Sequence, residues 1–543
     1  MYGAYPRLRD DQIATLESGG ARRTVHAGEL LVREGCRSDD FFVILSGKVA
    51  VTAEDESGEP HVIRVHGPRR FLGELGDLEG QASFFTAEVI EDGEVLVVAT
   101  TRVRRLVEHD ALLSDLILRA YLMRRSLLIE EGSGLRIMGS CYSPDTARLR
   151  EFAARNRLPH RWLDLDREPN AERLLRRFGI STADTPVVIW GDHVLRNPTN
   201  KELARLVGLP VADTADQEYD LVIVGAGPAG LGAAVYGASD GLITTTIELT
   251  AVGGQAGTSS RIENYLGFPA GISGSELSER AALQAEKFAA RVAISAQATD
   301  LESSGGWHVI RLADDTCLNS RAVVLATGAR YRTLSVPGIE RFQGNGVYYA
   351  ATHQEALMCG TGPVVVVGGG NSAGQATVFL ASRGNPVHLL IRSDDLGKSM
   401  SRYLVDQIQP HPLVSVHLCT QVCEVHGDEQ LKTVVTVDNL TGECYQIDTR
   451  AIFVFIGAEP NTAWLTGVIT LDDHGFIPTG PDALYPGDNY RQPISQRRPL
   501  TLETSRPGVF AAGDVRSRSV KRVASAVGEG AMTIRQIHEY LLT

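Results

Sequence analysis

The chain has no C-x-x-C pair, no long apolar run and no excess of positive charge, and each absence excludes a class of function. Its seven cysteines are odd in number and scattered over 543 residues, which argues against a secreted disulfide framework. The closest two, Cys419 and Cys423 in VSVHLCTQVCEV, fall in alternating β-branched sequence that predicts a strand. Four residues of strand separate Cα atoms by about 13 Å, beyond the roughly 7 Å a disulfide spans. No apolar run approaches the ~20 residues needed to cross a bilayer. The opening MYGAYPRLRDDQ lacks the layout of a signal peptide, so a cytoplasmic protein without membrane contact is expected. Lys plus Arg total 53 against 66 Asp plus Glu, a net charge of -13, which disfavours nonspecific nucleic-acid binding. The histidines form no H-x-x-x-H or Cys/His cluster, so no metal site is expected.

What is present divides into three textures, and the length exceeds what one core usually organises. Residues 1–132 carry short alternating strands with glycine punctuation, then the helical stretch VRRLVEHDALLSDLILRAYLMRRSLLIEE. This pattern predicts a β-roll followed by helices. Residues 133–212 alternate strand and helix in a small α/β unit. The polar stretch VADTADQE then leads into a glycine-rich α/β segment that runs to the last residue.

The strongest signal lies in YDLVIVGAGPAGLGAAVYGASDGLITTTIE. An apolar strand enters G-x-G-x-x-G at Gly225, Gly227 and Gly230, with Pro228 and Ala229 between. A small-residue helix follows, and a second strand ends in Glu248. The glycines permit a tight turn, backbone approach to a pyrophosphate and close helix packing, while the acid can accept from a ribose. A second copy, PVVVVGGGNSAGQATVFLASRGNPVHLLIR, places Gly368, Gly370, Asn371, Ser372 and Ala373 at the turn. Its second strand ends in Arg392, with Lys398 and Arg402 soon after. Cations where the acid would stand suit a 2′-phosphate, or they are solvated surface charges. An acid at the first site and a cation at the second suggest FAD first and NADPH second.

From about residue 218 the chain resembles the low-molecular-weight thioredoxin reductase family. The resemblance rests on GAGPAG, GGQAGTSSRIENYLGFP, VVLATGA, VVGGGNSA, FIGAEPNTAWL and PGVFAAGDV, in the family's order. It implies two Rossmann-like three-layer domains: FAD-binding residues 217–333 and 463–543, interrupted by an NADPH-binding domain at 334–462. It also implies a homodimer. Carried over by motif, Gly254, Gln255, Asn264 and Gly328 would border the flavin or its phosphates, and Gly513 and Asp514 would meet the ribitol. Arg522 and Ala524 would lie at the flavin edge, although KRVA replaces the family's usual residues. Ser393 interrupts the consecutive arginines of the family's NADPH site, leaving NADH open as a donor.

The family's C-x-x-C pair would fall within YYAATHQEA, on Ala350 and His353. Ala350 cannot carry electrons. His353 could donate a proton to an acceptor reduced at the flavin, or it could merely fill the space. Cys359 is a single thiol without a resolving partner. The expected function is therefore NADPH-dependent flavin oxidoreduction toward an unidentified acceptor, a small molecule or a redox protein. The alternatives are thioredoxin-disulfide reduction and a flavin-binding sensor or scaffold without useful turnover.

Two further resemblances concern the N-terminal modules. GELLVREGCRSDDFFVILSGKVAV and FLGELGDLEG resemble cyclic-nucleotide-binding domains, with Gly28, Gly35 and Gly47 at the roll turns and Glu74 where the ribose acid stands. Ser83 occupies the neighbourhood of that family's phosphate-binding arginine, so binding of an effector and a purely structural role both stay open. Residues 133–212 resemble a thioredoxin or glutaredoxin fold, with Cys141 in SCYSPD and Pro186 at the usual cis-proline position. There a helix N-terminus would lower the Cys141 pKa and permit a mixed disulfide, or the unit serves for docking.

Overall fold

Alternation of apolar and polar residues in the first hundred positions produces an antiparallel sheet in the computed structural model. The model describes all residues except 1–2, 55–59, 168–174, 176–178, 182–183, 213–217, 260, 344–345, 350, 352–354, 357–358, 429, 484–497 and 543. The sheet runs Gly20–Val25, Thr86–Ala99, Asp40–Glu54, Pro60–His66, with Leu30–Val32 also on Thr86–Ala99. Its inward positions, among them Phe42, Ile44, Ala87 and Val95, form one apolar core with Leu72 and Phe85. Helices Thr100–His109 and Ala111–Glu130 follow. Asp110 separates them, its carboxylate accepting from the amides of Leu112 and Leu113 at 3.0 Å each, which satisfies donors the second helix would otherwise leave unpaired.

The chain divides into two compact units, residues 1–213 with 248–251 and 292–296, and the remainder. Within the first unit the roll is followed by a mixed sheet ordered His160–Asp164, Leu135–Gly139, Val187–Trp190, His193–Arg196. The first pair is parallel and the others antiparallel. Ser143 caps the helix Pro144–Arg155 and Thr199 caps Asn200–Val207. The Thr185–Pro186 peptide is cis. The roll meets both the mixed sheet and its last helix: Phe84 stacks on Trp190 at 4.7 Å between centroids, and the Ala82 amide donates to the Val207 carbonyl at 3.1 Å.

In the second unit the apolar strands of the two glycine motifs become central, largely buried strands of two sheets, the first mixed and the second parallel. The first includes Thr244–Ile247, Glu218–Val224 and Cys317–Leu325 in that order, then antiparallel Trp307–Leu312 and Ala298–Ser304. Val509–Ala511 returns to pair in parallel with Cys317–Leu325. Between these segments the chain builds the second sheet, ordered Val347–Tyr348, Ala451–Val454, Val364–Val367, Val387–Leu390, Val414–His417 and parallel throughout. Two short antiparallel strands, Ala329–Tyr331 and Ala458–Pro460, join the layers.

One expectation is corrected here. Cys419 and Cys423 do not share a strand: the chain leaves the parallel sheet at His417, and Cys419 turns with a φ of 51°. Thr420–Gly427 then opens a separate three-stranded antiparallel sheet. The left-handed turn redirects the backbone where an unbroken alternation had suggested continuity.

Candidate cofactor sites and the thiol positions

At the first glycine turn, backbone proximity explains two of the three glycines. A Cβ on Gly225 would stand 2.3 Å from the Ala326 carbonyl oxygen, and one on Gly230 only 1.8 Å from that of Gly225. Gly227 differs, since it faces only the Cα of Gly254, at 3.8 Å from the added carbon. Gly227 caps the helix Pro228–Ser239, so this face between two glycines presents free helix-terminal amides with no side chain in the way, the arrangement that suits a diphosphate. Glu248 directly follows the strand Thr244–Ile247, and its Oε1 accepts from the Thr250 amide at 3.0 Å.

The C-terminal motif converges on the same helix. Gly513 lies so near that an added Cβ would meet the Ala229 methyl at 2.8 Å. Its amide donates to Glu529 Oε2 at 2.7 Å, and Arg516 clamps Glu529 through Nη2 to Oε1 at 2.5 Å and Nε to Oε2 at 3.2 Å. Asp514 is left partly buried, and no donor among the described residues reaches its carboxylate. Burial pushes its carboxyl above the usual range against the opposing pull of Lys521, with Glu529 adding to the rise. A desolvated carboxylate with unspent lone pairs fits a polyol whose hydroxyls donate. The side chain of Gln255 donates to the Ala329 carbonyl beside Gly328. Asn264 and Ala524 are exposed. Arg522, also exposed, donates from Nη2 to Ser401 Oγ at 3.1 Å.

The second turn is built alike but less tightly. A Cβ on Gly368 would meet the Phe455 carbonyl oxygen at 2.3 Å, whereas one on Gly370 would meet nothing within 4 Å. Ala373 is fully buried at the third glycine's place. The Asn371 carbonyl Oδ1 accepts from the Ser401 amide at 2.6 Å, and Ser372 is exposed at the first turn of the helix Asn371–Ser382. Arg392 and Lys398 are exposed, and neither is held in an ion pair among the described residues. Arg402 is already paired with Asp406 at 2.9 Å on its own helix. The three cations are therefore unequal, with Arg392 standing free directly after the strand Val387–Leu390 and Ile391.

Ala350 and His353 lie outside the described residues. Cys359 does not: it is buried, and burial together with Glu355 pushes its thiol up to about 12. A thiol so far from ionising does not serve as a nucleophile at neutral pH.

In the first unit, Glu74 occupies a position that sequence reasoning had linked to a ribose. Both its oxygens are instead taken by Arg125, Nε to Oε2 at 2.6 Å and Nη2 to Oε1 at 2.8 Å, and each side chain is 1% exposed. Arg125 also donates to Gln81 Oε1 at 3.2 Å. Ser83 is fully buried, its Oγ donating to Asp77 Oδ1 at 3.2 Å. The neighbouring cavity, bordered by Phe42, Leu72, Asp77 and Tyr121, measures about 10 Å³, room for about one water. Sequence spacing carried no hint of Arg125, which arrives from a distant helix.

Cys141 is the second correction. A helix N-terminus was expected to depress its pKa, yet burial and the carboxylates of Asp164 and Asp166 raise it. The parallel pairing of Gly139 with Asp164 delivers both acids to the thiol, a register invisible in the linear sequence.

Comparison with known proteins agrees with this layout. Residues 219–530 match the family model described as pyridine nucleotide-disulphide oxidoreductase, and residues 22–110 match that of the cyclic nucleotide-binding domain. The thioredoxin reductase of Mycolicibacterium smegmatis is 33% identical over 318 residues, 58% of this chain and 94% of its own length. That of Bacillus subtilis (strain 168) is 32% identical over 326 residues, 60% of this chain and 95% of its own. Among solved structures, the thioredoxin reductase of T. acidophilum aligns with a TM-score of 0.54 at 28% identity, covering 60% of this chain and all of that one. The Lactococcus lactis enzyme aligns with a TM-score of 0.53 at 29% identity, over 60% and 99%. Thioredoxin reductases use FAD and NADPH. No helix among the described residues is long and apolar enough to cross a membrane.

Proposed function

Because the chain belongs to the pyridine nucleotide-disulphide oxidoreductase family, we propose that it is an NADPH-dependent FAD oxidoreductase of the thioredoxin reductase type that works without an enzyme dithiol. In this reading residues 217–333 and 463–543 hold FAD, and residues 334–462 hold NADPH. The observation that carries it is the Asp514 carboxylate, partly buried and without a donor among the described residues, directly after Gly513, which packs on Ala229 in the helix that Gly227 opens. Bound FAD would supply the capacity to take a hydride from the nicotinamide and release electrons one or two at a time.

The chain's own residues bind and orient. Gly227 and the first helical turn after it receive the diphosphate, Glu248 accepts from the adenosine ribose, and Asp514 accepts from the ribitol. Arg516 and Glu529 hold the Gly513 turn that aims Asp514. Gly370, Asn371 and Ser372 face the second diphosphate, and Arg392 selects the 2′-phosphate. With alanine and histidine at 350 and 353, and Cys359 held protonated, electrons leave to an acceptor that meets the flavin directly. Quinones, ferredoxin-like proteins and external disulfides meet that requirement. His353 is the proton donor in this scheme. The assembly is a homodimer, as in the thioredoxin reductases it resembles.

Anaerobic mixing with NADPH tests the reading. Rapid bleaching of the flavin is expected, followed by reoxidation with one acceptor class. A protein that stays oxidised would be a sensor rather than an enzyme. Fast NADPH-driven reduction of thioredoxin would refute the dithiol-free route.

A further inference from the structure

The Cys141 corner contains more than a degenerate thiol position. Cys141 Sγ, one oxygen of Asp164 and one of Asp166 all lie within 4.8 Å of one another, and Sγ stands 3.8 Å from Asp166 Oδ2. Asp164 is 6% exposed. Its Oδ1 accepts from the amides of Cys141 and Asp166 at 3.2 Å each, which fixes the carboxylate against the turn. Its Oδ2 is buried and receives no hydrogen bond. Arg167, about half exposed, forms an ion pair with that oxygen at 3.7 Å, which offsets its charge from a distance too long for a hydrogen bond. The ion pair leaves the lone pairs of this buried oxygen without a donor, a cost that a ligand bound there would remove.

We propose that Cys141, Asp164 and Asp166 form a divalent transition-metal site, with zinc the ion that fits best. One sulfur and two oxygens make a mixed donor set of the kind zinc accepts, and three protein ligands leave a fourth position for water. With tetrahedral angles and ordinary zinc–ligand lengths, sulfur and oxygen ligands of one ion stand about 3.5 Å apart, close to the separation already present. Binding exchanges the S–H bond of Cys141 for an S–metal bond, and the proton leaves to solvent. Ser140 Oγ donates to Asp166 Oδ2 at 2.5 Å and the two amides hold Asp164, so the carboxylates are oriented before the ion arrives. Gly139 lies against Thr146 and Pro186, where an added Cβ would stand 2.2 Å from Thr146 Oγ1 and 3.0 Å from Pro186 Cβ. That packing anchors the strand that presents the thiol.

The experiment is calorimetric titration of the reduced, flavin-loaded full-length protein with zinc chloride, in two buffers of different ionisation enthalpy. One site is expected, releasing about one proton. Cys141→Ser and Asp164→Asn should each weaken it at least tenfold, and the exposed-site variant Asp166→Asn guards against misfolding caused by changing the buried acid. Cys423→Ser should leave the site unchanged. Absence of binding would overturn the proposal. So would binding that survives Cys141→Ser, because the ion would then sit on surface carboxylates or on another thiol.

Discussion

The roll and the first dinucleotide fold each present an acid at a motif that elsewhere receives a sugar, and they treat it in opposite ways. Glu74 has both oxygens committed to Arg125 inside a sealed core. Asp514 is partly buried with its lone pairs unspent. The cavity beside Asp77 has room for about one water, and residues 80–85 pack against the mixed sheet through Phe84 and against the helix Asn200–Val207 through Ala82. Around Asp514 the backbone is held by a charged clamp while the carboxylate stays available. A motif acid can become a ligand contact only where the rest of the fold leaves its hydrogen-bonding capacity free: Glu74 has spent that capacity, and Asp514 has kept it.

The comparison breaks most visibly at Glu74→Gln. Removing one partner of a buried pair leaves an uncompensated guanidinium and should cost about 3–5 kcal/mol, read as a lower urea midpoint for the first unit. The rate of flavin reduction by NADPH should not change. Gly230→Ala comes next, since a Cβ 1.8 Å from a carbonyl oxygen forces the turn open. The expected outcome is loss of stoichiometric FAD and about 3 kcal/mol of stability, measured by flavin content and thermal unfolding. Asp514→Asn sharpens the contrast, because it removes a charged acceptor without disturbing packing. Flavin affinity should fall by roughly 10- to 100-fold, the equivalent of a charge-assisted hydrogen bond, while the apoprotein unfolds as before. The smallest effect belongs to the cations of the second turn. Arg392→Ala should raise the KM for NADPH about tenfold and leave that for NADH unchanged. Arg402, already paired with Asp406, should matter less by the same assay.

These outcomes follow how much of the molecule could be read in advance. The two glycine turns were legible because their constraint is local: strand, turn and helix are contiguous, and close backbone approach demands glycine within a few residues. The roll and the alternating α/β unit were legible for the same reason, through periodicity. Partners supplied from afar were not. Arg125 reaches Glu74 from a different element, and Asp164 reaches Cys141 only through a parallel register, so neither leaves a spacing signal. Cys419 misled because an alternating pattern persists through a turn that a single left-handed residue accomplishes. His353 and Ala350 lie outside the described residues, so the reading at those two positions rests on the sequence.

The pairing of Val509–Ala511 with positions 323–325 of the Cys317–Leu325 strand carries a consequence for synthesis. Since Gly513 and Asp514 follow that strand, the first sheet and its acid come together only after residue 511 has been made, later than every strand of the second sheet. A chain that stops between residues 454 and 509 contains every strand of the second sheet but lacks both the returning strand and Asp514. Flavin retention is thus expected to distinguish chains that extend through Asp514 from those that stop before it.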